Sequence, residues 1–107
     1  MSTKNRYLMR ILQWLIAGSR GGPNRARILL TIKENPMNAN QIGEKLGLDY
    51  RTIRHHIDML EKNRLIISIG QRYGKVYFLS EDLERNFSDF EEILYKFGKT
   101  AIKNGDL

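Results

Sequence analysis

The stretch Ala39 to Leu60, ANQIGEKLGLDYRTIRHHIDML, holds two short helical patterns separated by Gly47-Leu48-Asp49. Ile42 and Leu46 form an apolar i, i+4 pair in the first pattern, and Ile53, Ile57 and Leu60 form an i, i+4, i+7 stripe in the second. Gly47 suits the left-handed position that ends a helix, and Asp49 suits the cap that starts the next. Two helices joined by so short a break cross steeply, as a helix-turn-helix does. The second helix then turns Tyr50, Arg51, Thr52, Arg54 and His55 away from its apolar stripe.

The rest of the chain must complete a core around this pair. A chain of 107 residues supports one core and not two. Tyr7 to Ala17 carries Leu8, Ile11, Leu12 and Leu15 at helical spacing, and Trp14 and Ile16 widen the apolar face. Either Trp14 caps the core or the surplus packs on a partner chain. Gly18 to Pro23 reads as a turn, with Pro23 preset for a first helical turn. A second helix follows to about Asn35, where Pro36 stops it. Asn38 and Gln41 have capping-box spacing ahead of the turn motif.

Beyond Leu60 the β-branched run Leu65–Ile69 predicts a strand. Gly70–Lys75 predicts a turn, and Val76–Leu79 a second strand. A hairpin with a basic tip directly after a helix-turn-helix is a wing. Ser80 caps a last helix in which Leu83, Phe87, Phe90, Leu94, Phe97 and Ala101 are spaced 4, 3, 4, 3, 4. That seam is long for a terminal helix, so its second half is expected to meet another chain. The predicted fold is mainly α (α+β): a winged helix-turn-helix with a two-stranded wing and flanking N- and C-terminal dimerisation helices. Residues 24–80 form the winged-helix core, and 1–18 and 81–104 form the flanks. The dimer contacts read from these patterns are Leu8, Ile11, Trp14 and Leu15 with Phe87, Phe90, Leu94 and Phe97.

Charge points to the partner. The formal net charge is +6, but residues 1–80 hold 14 Lys and Arg against 5 Asp and Glu, while residues 81–107 hold 4 against 7. A basic body with an acidic end segment suits a polyanion at the body. Arg51 and Arg54 on the helix, Arg72 and Lys75 on the wing, and Arg20, Arg25 and Arg27 near the second helix are candidate phosphate contacts. Arg51 suits guanine, Thr52 a thymine methyl, and His55 and Tyr50 bases or backbone.

Other chemistries find little purchase. No cysteine is present, which excludes disulfides and thiolate chemistry and fits a reducing cytosol. No apolar run approaches the ~20 residues of a membrane span. Lys4, Arg6 and Arg10 precede the apolar segment Ile11–Ala17, but Gln13 interrupts it, so a signal peptide is not expected. Adjacent His55 and His56 point about 100° apart on a helix and do not share an ion easily. One of them, His56, is expected at the edge of the core. No phosphate-cradling loop, nucleophile elbow or HExxH motif occurs, so neither an enzyme nor a cofactor is expected.

The run TIRHHIDMLEKNRLI (Thr52–Ile66), with the strand GKVYFL after it, resembles the winged helix-turn-helix of ArsR-type transcriptional regulators, above all their archaeal relatives. The similarity covers about residues 24–80. The resemblance implies a cytoplasmic homodimer built by the flanking helices and bound to double-stranded DNA. Its recognition helix, about 50–62, enters the major groove, and its wing, about 71–75, lies on the adjacent backbone. Half-sites would then lie about one helical turn, ~34 Å, apart. The implied DNA-facing residues are Arg51, Thr52, Arg54 and His55 with Arg72 and Lys75; Tyr50 joins them from the base-contact reading above and Arg25 from the charge reading. Metal-sensing relatives carry cysteines in the turn motif or acid and histidine ligands in the last helix. This chain has no cysteine and no histidine there, so no metal effector is expected. Asp58 stands where many relatives have a basic residue. The rival reading is a winged helix used for protein assembly, its basic face meeting an acidic protein.

Overall fold

The computed structural model describes residues 5–103. Helix α1 (Arg6–Leu12) starts at Asn5, whose Oδ1 accepts from Leu8 N at 3.0 Å. It continues without a break into a wider π turn over Gln13–Ala17. Helices α2 (Gly22–Glu34), α3 (Ala39–Leu46) and α4 (Tyr50–Lys62) follow. Strands β1 (Ile66–Ile69) and β2 (Val76–Leu79) form an antiparallel pair, and α5 (Glu81–Arg85) and α6 (Phe87–Lys103) end the chain.

The turn motif forms for the local reasons its sequence suggests. Asn38 and Gln41 make a full capping box, side chain to backbone in both directions, at 2.8 and 2.9 Å. Gly47 closes α3 at φ +70°, a conformation a side chain rarely tolerates. Asp49 then caps α4 by accepting from Thr52 N at 2.8 Å. Ile42, Ile53, Ile57 and Leu60 are fully buried, joining Leu12, Leu15, Ile16, Ile28, Leu29 and Ile32 in one core. Helix α2 enters that core against the π turn at Gly22. A Cβ there would lie 1.7 Å from the Ile16 carbonyl oxygen, so only glycine permits the approach.

In the wing, Ile66 pairs with Leu79 and Ile69 with Val76. A third segment adds to it: Tyr77 N donates to Met37 O at 2.9 Å, and Met37 bridges antiparallel to Tyr77. That pairing ties β2 to the segment leading into α3. Nothing local to Met37 marks it as strand.

The last helix departs from expectation. It breaks at Asn86, which ends α5, and its Nδ2 donates to Asp82 O at 2.8 Å. An asparagine side chain competes for helix carbonyls in this way, without any Gly or Pro. Leu83 before the break and Phe90 and Ile93 after it are buried in the chain's own core, and Phe87 and Leu94 pack against it partly buried. The first half of the seam is therefore internal, while Leu94 and Phe97 in the second half, expected to meet another chain, stay half-buried. Leu8, Leu15 and Phe90, 5%, 0% and 0% exposed, are corrected from interface to core. The side chain of Ala101 and the residue Lys4 lie outside the described residues.

Candidate nucleic-acid interface

The outer face of α4 carries the predicted residues. Tyr50, Arg51 and His55 are exposed, while Thr52 and Arg54 are half-buried. Two of these side chains are already engaged within the chain. The Thr52 hydroxyl donates to Asp49 Oδ2 at 3.1 Å. Arg54 donates to Asp58 Oδ1 through Nε and Nη2, at 3.1 and 2.8 Å. Its guanidinium also lies over the Tyr77 ring, 5.8 Å from the centroid. Partial burial lowers the Arg54 pKa, but the Asp58 carboxylate, with the Tyr77 and Tyr50 phenols beside it, outweighs this and holds it above the ordinary arginine value. Asp49 is held below the usual carboxylate range, first by the Thr52 backbone N–H and then by the Thr52 hydroxyl.

The wing brings its cations beside α4. Arg72 and Lys75 flank the hairpin tip, Arg72 exposed and at φ +52°, unusual for a residue with a side chain. Neither has a carboxylate in ion-pair range among the described residues. A narrow crevice of about 10 Å³ lies where α3, α4 and the wing meet, with Asn40, Tyr50, Arg54, Arg72, Lys75 and Tyr77 on its walls. Tyr77 is 1% exposed, and its hydroxyl is buried with no hydrogen-bond partner among the described residues. Tyr77 is a strand residue, and alternation along β2 puts it on the inward face. No motif marks its hydroxyl.

Arg25 does not join this surface. It is 4% exposed. Its Nε donates to Leu15 O at 3.0 Å, Nη1 faces His56 Nδ1 at 3.3 Å, and Nη2 donates to the Ser19 hydroxyl. Arg25 is therefore a structural arginine and not a phosphate contact; burial lowers its pKa. His56 sits at 5% exposure as expected, its pKa lowered by burial first, then by the charges of Arg25 and His55. Arg27 remains exposed and donates to Leu46 O at 3.0 Å, which braces α2 against the end of α3. Among the described residues no group of acidic, histidine or cysteine side chains is placed to hold a metal ion, and no helix is long and apolar enough to cross a membrane.

Comparison with known proteins places this arrangement. The family model of the N-terminal domain of methanogenesis regulatory protein FilR1 matches residues 19–81. Among curated proteins none matches the chain. A probable transcriptional regulator from Pseudomonas aeruginosa superposes with a TM-score of 0.68 at 20% identity, over 92% of this chain and 79% of that one. The homodimeric winged helix-turn-helix DNA-binding domain of a possible ArsR-family regulator from Mycobacterium bovis superposes with a TM-score of 0.57 at 12% identity, over 99% and 91%. HlyU from Vibrio cholerae gives 0.58 at 14% identity, over 87% and 98%. The shared fold is the winged helix-turn-helix.

Proposed function

We propose that this chain, which belongs to the family of the N-terminal domain of methanogenesis regulatory protein FilR1, binds duplex DNA as a homodimer and regulates transcription from the sites it occupies. The observation that carries the reading is the common surface of α4 and the wing. Tyr50 and Arg54 on one element stand beside Arg72 and Lys75 on the next, Arg51 and His55 are exposed on the same helix, and among the described residues no carboxylate is in ion-pair range of the wing cations. A helix of this length fits the major groove, and a hairpin beside it reaches the flanking backbone. Residues 81–107 carry 7 Asp and Glu against 4 Lys and Arg, so the excess of positive charge lies in residues 1–80, which include α4 and the wing.

Within that arrangement Arg51 and His55 on the exposed face of α4 read base edges, with Tyr50, whose phenol lies beside Arg54, reaching bases or backbone. Thr52 offers its methyl, since its hydroxyl is spent on Asp49. Arg72 and Lys75 neutralise phosphate. The expected partner is duplex DNA in the cytoplasm. Homodimerisation is supported by the apolar side chains that α1 and its π turn leave outside, with Tyr7 68% and Trp14 51% exposed. The Mycobacterium bovis domain of the same fold is described as homodimeric.

A salt titration of binding to random-sequence duplex tests the reading. Log affinity is expected to fall linearly with log salt, and Arg51→Ala and Arg72→Ala are each expected to flatten that slope by about one. Unchanged affinity and slope in both variants would sink the DNA assignment.

A further inference from the structure

We propose that the crevice between α3, α4 and the wing seats one phosphodiester oxygen of the DNA backbone, which accepts a hydrogen bond from the buried Tyr77 hydroxyl between Arg72 and Lys75. The assignment deepens the DNA reading above and rests on it.

The starting point is a donor without an acceptor. Buried polar groups in folded chains are nearly always bonded. Arg54, the cation beside the Tyr77 hydroxyl, can only donate, so the hydroxyl's own proton finds no acceptor among the described residues and calls for one from outside the chain. The surroundings state what that partner must be. Arg54, Arg72 and Lys75 line the crevice, and Asp58 engages only the first of them. The first turn of α3 adds its positive end. Its capping box takes up the Asn38 and Gln41 amides, whereas helix geometry leaves those of Ala39 and Asn40 without an intrahelical acceptor. Asn40 forms part of the crevice wall. Hydroxyl, cations and helix end all ask for an anionic oxygen.

Size chooses the source. A space of about 10 Å³ admits one atom the size of a water oxygen. It cannot enclose a nucleotide or a whole free anion. A phosphodiester lying across the surface can lower one non-bridging oxygen into it. A backbone running between α4 and the wing would pass over this opening, because both elements form its walls.

Tyr77→Phe isolates the hydroxyl, since it keeps the ring and removes only an unbonded atom. The wild type and the variant would be compared by fluorescence anisotropy on random-sequence duplexes, with thermal melting run in parallel. The expected result is about a tenfold loss of affinity, the same on every sequence, with an unchanged salt slope and a melting temperature equal or higher. Lys75→Gln, at a half-buried position, is a second variant that keeps the core intact. It is expected to lose affinity and to flatten the salt slope by about one. Wild-type affinity in both variants overturns the crevice assignment while leaving the DNA reading standing. Failure of the wild type to bind duplex removes both. In a third arm, inorganic phosphate at matched ionic strength is added without DNA. A melting-temperature rise in the wild type that Tyr77→Phe abolishes, with duplex affinity unchanged, overturns the backbone source in favour of a free anion.

Discussion

Nη1 of Arg25 lies 3.3 Å from Nδ1 of His56, joining α2 to α4 through two buried polar side chains. An arginine only donates, so the pair requires an unprotonated Nδ1 on His56. Protonation would set two cations against each other in a site already short of water. Burial and the charge of Arg25 both favour the neutral ring, which lowers the His56 pKa from its ordinary 6.5.

The pH dependence follows from that direction. Above about pH 6.5 the ring is neutral in both the folded and the unfolded chain, and the shift changes nothing. As pH falls below this value the unfolded chain takes up the proton first, so stability falls with pH until the folded ring titrates too. Urea denaturation between pH 8 and pH 5 is expected to show the loss. His56→Gln, which keeps an acceptor but cannot titrate, is expected to lose less over the same range. Parallel curves for the two proteins would remove His56 as the cause.

Arg25→Ala separates a structural role from a phosphate contact. It withdraws the donors to Leu15 O and the Ser19 hydroxyl; Leu15 O keeps its bond from the Ser19 hydroxyl, but the buried His56 Nδ1 loses the donor facing it, at a cost of about 1–3 kcal/mol. The salt slope of duplex binding by the folded fraction is expected to stay at its wild-type value. A slope flattened by about one would return Arg25 to the DNA surface.

How far each feature could be read depended on how local its cause is. Gly47, Asp49 and the Asn38–Gln41 box act within four residues of themselves, and the structure has all three where their spacing predicts. The hairpin likewise follows from the β-branched run Leu65–Ile69 and the Val, Tyr, Phe and Leu of 76–79 around a short basic tip. Arg25 was misplaced because a count of charges carries no information on burial, and only its meeting with Leu15 and His56 shows the difference. The Asn86 break hides because asparagine within a heptad pattern is ordinary until its amide finds the Asp82 carbonyl. The Tyr77 hydroxyl is legible in no pattern at all, since its isolation arises where α3, α4 and β2 meet.

Asp58 holds Arg54 along α4 by two hydrogen bonds to one oxygen. The carboxylate is well exposed, at 63%, so the pair adds about 0.5 kcal/mol or less to stability. Its larger effect is on where the cation points. Asp58→Asn removes one negative charge and frees Arg54 for a phosphate. Affinity for random duplex is expected to rise about two- to fivefold and the salt slope to steepen by about one, with melting nearly unchanged. Identical binding would mean that Arg54 stays on Tyr77 when DNA is bound.

Trp14 carries the dimer reading. It sits on the π turn, beside α2 and α6, yet leaves half of its surface in solvent while its neighbours Leu15 and Ile16 are fully buried. Core packing therefore uses the inner side of the turn, and the indole is spare. Tyr7 is spare in the same way on α1, and Ile11 is half-buried between them. An exposed tryptophan with apolar neighbours is the usual anchor of a protein interface. Trp14→Asp is expected to weaken association by about 2 kcal/mol or more, a ~30-fold rise in dimer Kd, without loss of folded structure. Sedimentation equilibrium with circular dichroism on the same samples reads both quantities. DNA bound by two recognition helices at once loses half of its contacts when the dimer parts, so duplex affinity should fall with it. A variant that sediments as the wild type does would take α1 and its π turn out of the interface. In that case only α6 would be left to set the distance between the two α4 helices.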